Sequence, residues 1–204
     1  FQNDIDRDIV APFSRIFCDV ERFSEDEKEV MSKFGMGVLY TTLDNGEEMR
    51  EVTTELRKLI LDEYYWIHHN KLEKIVDDCL TDQNKCLIVD CHSFPNIPLE
   101  RTLDKKPNRP DINIGTDSFH TPKHIVGMSE KFFLDKGYSV GIDWPYTGSM
   151  VPTKFYQKDN RVSSVLIEIN RRLYLEEGTN KKSKGYDEIK LAIQEYLDIL
   201  RSIC

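Results

Sequence analysis

The chain has 204 residues, enough for one domain whose core removes about 70% of the unfolded chain's surface from water without disulfide or metal staples. Charged residues make up 31%, with 36 acidic against 28 basic groups, and the net charge of -8 excludes a general nucleic-acid binder. The longest uncharged apolar runs, such as residues 163–167, fall far short of the roughly 20 needed to cross a bilayer, and the opening FQNDID does not read as a secretory signal.

In chain order, residues 14–20 (SRIFCDV) are predicted as the first strand, on their β-branched and aromatic content. Residues 24–31 follow as a short helix, with Ser24 as N-cap and Glu27 as its reciprocal capping-box partner. Gly35 and Gly37 interrupt the pattern before a second short strand at 38–42. A turn at Asp44-Asn45-Gly46 opens the longest helical stretch, about 47–80, with Leu56, Leu59, Ile60, Tyr64, Ile67 and Leu72 at helical spacing. Residues 85–89 (KCLIV) form a continuous apolar run, which suits a strand covered on both faces. Residues 111–115 read as a short strand or extended loop, and Thr121-Pro122 starts a helix running to about Lys136. Strands are expected at 138–142 and 162–169, a basic loop at 178–185, and a closing amphipathic helix from Tyr186 to Ile203. The alternation predicts an α/β fold, a three-layer mixed sheet flanked by helices, with residues 1–204 forming a single domain.

Ligand sites in open α/β sheets lie beyond the carboxyl ends of the strands. His92 follows KCLIVDC directly and reads as a metal ligand, a general base or a satisfied buried histidine. Glu168 sits inside VLIEI; burial would raise its carboxyl and suit a general acid or base, whereas Arg171 nearby would make a structural ion pair. Arg109 and the segment Asn113 to Asp117, with Gly115 and Thr116, supply groups that anchor an acid or amide. Tyr146 with Gly148 pairs an aromatic ring with a backbone that approaches a ligand closely. Arg15 and Arg22 are candidates for holding a substrate carboxylate, against the reading of solvated surface ion pairs. His120 and His124, four apart, suit zinc only if they share a helical face, and Pro122 argues that they do not. Ser93 lacks a nucleophile elbow, Cys91 and His92 diverge as strand neighbours, and no phosphate loop is present. The five cysteines, Cys18, Cys79, Cys86, Cys91 and Cys204, contain no CxxC pair and read as reduced thiols of a cytoplasmic protein.

Taken in order, the motifs resemble those of the N-formylglutamate amidohydrolase family. SRIFCDVERF is similar to that family's SRxxxDxxR strand, and His69-Asn70-Lys71-Leu72 to its HxxL. DCHSF matches its DxHS, RPDINIGTD its PDxxxGT, PYTGSMVP its glycine-containing loop, and VLIEINRRLYL its closing strand with a glutamate. The resemblance covers about residues 14–175. It implies a phosphorylase/hydrolase-like fold related to zinc carboxypeptidases, with one zinc ion, His92 as a zinc ligand and Glu168 as the catalytic base. It further implies a small-molecule N-acyl amino acid as substrate, held by Arg15, Arg22, His69, Ser93, Arg109, Gly115, Thr116, Tyr146, Gly148 and Arg171. Family members begin with a strand that supplies another metal-site histidine. The chain is therefore expected to lack that strand upstream of Phe1, leaving a sheet edge open and the ligand set to be completed elsewhere, with His69, His120, His124, Asp19 and Glu21 as candidates.

The leading expectation is a zinc-dependent amide hydrolase giving formate and glutamate from an N-formyl-L-glutamate-like substrate. The alternatives are a carboxypeptidase-like metallopeptidase on small peptides and a non-catalytic carboxylate-binding relic. No nucleic-acid or membrane partner is expected, and the sequence leaves the oligomeric state open.

Overall fold

A computed structural model describes residues 6–203. Phe1 and Cys204, which carry the expectations about an upstream strand and a fifth thiol, lie outside the described residues. The chain divides into two compact units, one built from residues 79–98 and 104 onward, the other from residues up to Asp78 together with 99–103.

The first of these holds a four-stranded mixed sheet in the order β1-β4-β2-β3. Its strands are β1 (Cys86–Phe94), β2 (Ile112–Gly115), β3 (Val140–Ile142) and β4 (Val162–Asn170). β1 and β4 run parallel in unbroken register from Cys86 opposite Val162 to Phe94 opposite Asn170. β2 is antiparallel to β4 and parallel to β3. Helices α3 (Lys123–Asp135) and α4 (Tyr186–Ile203) pack on one sheet face, where Ile112, Ile114, Val165 and Ile167 meet Ile125, Phe133, Ile189, Ile193 and Tyr196. In α4 the buried Ile189, Ala192, Ile193, Tyr196 and Leu200 recur at the spacing of a single helical stripe, as its sequence requires. β1 runs past Val89, where the apolar run ends, because Asp90 and His92 keep strand geometry through Phe94.

The second unit departs from its predicted elements. Residues 14–20 form turns rather than a strand: the Phe17 and Cys18 amides both donate to the Ser14 carbonyl, at 2.9 and 3.2 Å. Side chains divert the same backbone, since Ser14 Oγ accepts from Ile16 N and Asp19 Oδ1 from Glu21 N. Residues 38–42 carry only isolated bridges, Met36 to Tyr40 and Thr42 to Glu48. The helix expected at 24–31 is replaced by a 3-10 turn at Val30–Phe34, which Glu29, not Ser24, caps through Met31 N. The long helix starts at Thr54 instead of 47, with Thr53 Oγ1 accepting from Leu56 N at 3.2 Å. It comprises α1 (Thr54–Ile60), a π-helical turn (Leu61–Tyr65) and α2 (Trp66–Gln83). The unit's core joins Cys18, Val20, Val38, Leu39, Ile60 and Tyr65. Among the described residues no helix is long and apolar enough to cross a membrane, and Cys18, Cys79, Cys86 and Cys91 are not joined in disulfides.

Candidate active site on the polar face of the sheet

Strand alternation sorts β4 into two faces. Val165 and Ile167 enter the apolar core, while Ser164, Leu166, Glu168 and Asn170 point to the other side. The register pairs Glu168 with His92 on β1 and with Asn113 on β2, so those three share this face with Asp90, Phe94 and Gly115. Asn113, Ser164, Glu168 and Asn170 are all buried, a concentration of polar groups that an ordinary core excludes.

Hydrogen bonds show what these groups hold. Ser164 Oγ donates to the Met150 carbonyl at 2.9 Å, and Asn170 Nδ2 donates to Pro110 O at 3.0 Å. Asn113 grips the loop after β3 at two points: its Oδ1 accepts from Trp144 N at 2.9 Å, and its Nδ2 donates to Tyr146 O at 3.0 Å. Asp90 does the same for His92. Its Oδ1 lies 2.8 Å from His92 Nε2, and its Oδ2 accepts from Met150 N at 3.0 Å. In the sequence Asn113 has a place only within an anchoring segment and Asp90 has no role of its own; the Asp-x-His spacing, which puts both side chains on one strand face, is the signal for Asp90.

The glycine and tyrosine loop closes over this face. A Cβ on Gly115 would lie 2.5 Å from the Gly148 carbonyl oxygen, so only glycine admits that approach, and Gly148 itself has φ 90. Thr116 donates through N and Oγ1 to Asp143, both at 2.7 Å, and Thr147 Oγ1 joins the same carboxylate at 3.0 Å. Tyr146 packs edge-on against Phe94, with ring centroids 5.8 Å apart.

Other predicted residues are engaged with protein groups. Ser93 and Arg171 meet each other, Arg171 Nε to Ser93 Oγ and Arg171 Nη2 to Ser93 O, both at 3.3 Å. By alternation Ser93 leaves β1 on the face opposite His92. Arg109 is only 1% exposed, and its guanidinium is spent on protein groups. His120 accepts from Gln157 N at Nε2 (2.8 Å), so it is the Nδ1–H tautomer donating to Val162 O (2.7 Å). Both ring nitrogens are thereby occupied, and His124 is exposed on α3, so the pair does not form a zinc site. Desolvation first, and Asp90 second, push the Cys91 thiol up to about 11, which leaves it protonated at neutral pH.

In the N-terminal unit, buried Asp19 gathers Arg15 Nε (3.2 Å), Arg22 Nε (3.5 Å) and the Tyr40 hydroxyl (3.1 Å). Arg22 also reaches Glu29 at 3.3 Å. This carboxylate is committed to orienting two guanidiniums, which is a different task from holding a metal. Arg15 is half exposed, a guanidinium of the kind that takes a carboxylate bidentately. His69 lies 3.0 Å from the Val20 carbonyl through Nε2, and burial, with His68 after it, pushes it down to about 4. It is neutral at pH 7 and donates that bond.

The family model of N-formylglutamate amidohydrolases matches residues 3–175. A crystal structure of N-formylglutamate amidohydrolase from Ralstonia eutropha JMP134 superposes with a TM-score of 0.77 at 22% identity, covering 92% of this chain and 75% of that one. A gene product of Agrobacterium tumefaciens superposes at 0.64 with 17% identity, covering 94% and 69%. At these identities the superpositions speak to the fold. No curated protein matched the chain. The matched span takes in every strand and stops short of α4, and the chain belongs to the N-formylglutamate amidohydrolase family.

Proposed function

We propose that this chain is a zinc-dependent amide hydrolase acting on N-acyl amino acids, N-formyl-L-glutamate foremost, and releasing formate and glutamate. The observation that carries the reading is the register pair His92–Glu168 on one polar sheet face, with Asp90 bonded to the imidazole.

The donor chemistry fits zinc. A metal-bound histidine ordinarily gives one ring nitrogen to a carboxylate, as His92 Nε2 does to Asp90, and the His92 imidazole would hold the metal. Imidazole nitrogen and carboxylate oxygen are both ligands that zinc takes. When bound, zinc supplies a Lewis acid for the amide carbonyl and lowers the pKa of water toward about 7.

The chain's own residues do the rest. Glu168 takes a proton from the attacking water at its carboxylate and passes it to the amide nitrogen as the C–N bond breaks, giving formate and the amino acid. Asp90 keeps the imidazole in one tautomer and one orientation. Gly115 and Gly148 let the loop backbone lie directly against the sheet, which narrows the space left for water.

The test is formate or amine release by zinc-loaded protein from N-formyl-L-glutamate, N-acetyl-L-glutamate and a dipeptide. Glu168→Gln is expected to lose about 10²–10⁴-fold in turnover while retaining zinc. Unchanged turnover in Glu168→Gln removes its assigned role. Faster hydrolysis of the dipeptide than of either N-acyl substrate moves the chain to a peptidase.

A further inference from the structure

Arg109 presents a puzzle of cost. Its side chain is 1% exposed, yet among the described residues none of its hydrogen bonds goes to a carboxylate. Nη2 donates to Asp104 O at 2.9 Å, Nη1 donates to Pro95 O at 3.3 Å and to the Tyr146 hydroxyl at 3.2 Å, and Nε has no partner among the described residues. The guanidinium carbon also lies 5.9 Å from the Phe94 ring centroid and 5.5 Å from that of Tyr146. A buried cation is expensive, and an apolar side chain of similar volume is often the more stable choice. What the arginine contributes here is geometry, and the geometry converges on one residue.

We propose that Arg109 is a positioning residue that acts through Tyr146, fixing that ring beside the polar face of the sheet. Tyr146 is held at both ends. Arg109 takes the hydroxyl, while Asn113, fully buried and opposite Glu168 in the register, takes the Tyr146 carbonyl. Phe94 supports the ring edge. Because Arg109 donates to the phenolic oxygen, the hydroxyl proton is left to point at a substrate oxygen, and a donor already receiving a hydrogen bond donates more strongly. Asn113 joins the same apparatus as the clamp on the backbone side.

The proposal rests on the amidohydrolase reading for its catalytic consequence, though not for the coupling of Arg109 to Tyr146. The experiment is a double-mutant cycle of Arg109→Met and Tyr146→Phe in the zinc-loaded full chain, with kcat and KM for N-formyl-L-glutamate. The same variants are labelled with ¹³Cζ-tyrosine, and the Tyr146 resonance is assigned by its loss in Tyr146→Phe. Arg109→Met is expected to lower kcat/KM by tenfold or more in the wild-type background and by less than twofold in Tyr146→Phe. Its Tyr146 resonance is expected to shift and broaden. Equal losses in both backgrounds, with the resonance unmoved, overturn the proposal. Should Arg109→Met not fold, Arg109→Lys takes its place, with the same expected coupling and the same overturning result. If the wild type turns over none of the substrates, the amidohydrolase reading fails, and an unmoved Tyr146 resonance still overturns the proposal independently.

Discussion

Gly115→Ala tests a close approach between the sheet and the loop that follows β3. The added Cβ would lie 2.5 Å from the Gly148 carbonyl oxygen, 2.5 Å from Leu166 Cδ2 and 2.9 Å from Leu166 Cβ. Neither side yields freely. Gly115 is paired in register with Leu166, and the loop is tied by Gly148 N to the Thr116 carbonyl at 3.2 Å. Overpacking of this kind costs about 1–3 kcal/mol. Against it stands the reduced entropy of the unfolded chain, about 0.4–1 kcal/mol in alanine's favour. With contacts this short on both sides the cost lies at the upper end of that range, and the net destabilisation is about 2 kcal/mol. With a urea m-value of roughly 2 kcal/mol/M, the midpoint falls by about 1 M. Gly127→Ala is the matched control. Gly127 is exposed inside α3, and its added Cβ meets nothing within 4 Å, so helix propensity alone raises stability by about 0.8–1 kcal/mol. Urea unfolding followed by circular dichroism checks both. A Gly115→Ala midpoint at or above wild type refutes the steric reasoning.

Three further outcomes follow from single side chains. His120→Leu leaves the buried Val162 O and the part-buried Gln157 N without their partner, which costs about 1–3 kcal/mol by the same unfolding assay; a loss under 1 kcal/mol contradicts the double tie. Tyr196→Phe removes the 2.8 Å bond to Ser129 Oγ between two fully buried residues and costs about 1 kcal/mol, because Ser129 keeps Ile125 O. His69 is about 4 in the folded chain and about 6.5 unfolded, so the unfolded state binds the extra proton between those values. Its contribution is complete above about pH 6.5 and is lost as pH falls toward 4; His69→Gln flattens that part of the stability curve, and an unaltered slope contradicts the assignment.

The sheet unit was legible because its strands are written as apolar runs and its last helix as one stripe. β4, β2 and α4 fall close to where their sequences place them. The N-terminal unit was not, since SRIFCDV carries strand-like residues whose backbone is satisfied another way. Arg50 donates from Nε to Tyr40 O and from Nη2 to Phe17 O, both at 2.7 Å, filling carbonyls that a neighbouring strand would otherwise use. Arg57 on Ser24 O and Arg101 on Phe34 O act likewise. Side chains standing in for a sheet partner leave no periodic trace. In the site, Glu168 and His92 were readable as polar residues at strand ends. Asp90 is hidden because a polar residue inside a strand reads as the strand's end, when here it faces the side where polarity has a use. Arg109 looked like a ligand group by type, and only its burial shows where its donors go.

The most direct test of the central claim is zinc stoichiometry by elemental analysis, after loading and dialysis, for wild type and His92→Ala. About one zinc per chain in the wild type, lost in His92→Ala, is the result expected from a metal held at the polar face of the sheet. No zinc in the wild type, or equal zinc in both, contradicts it.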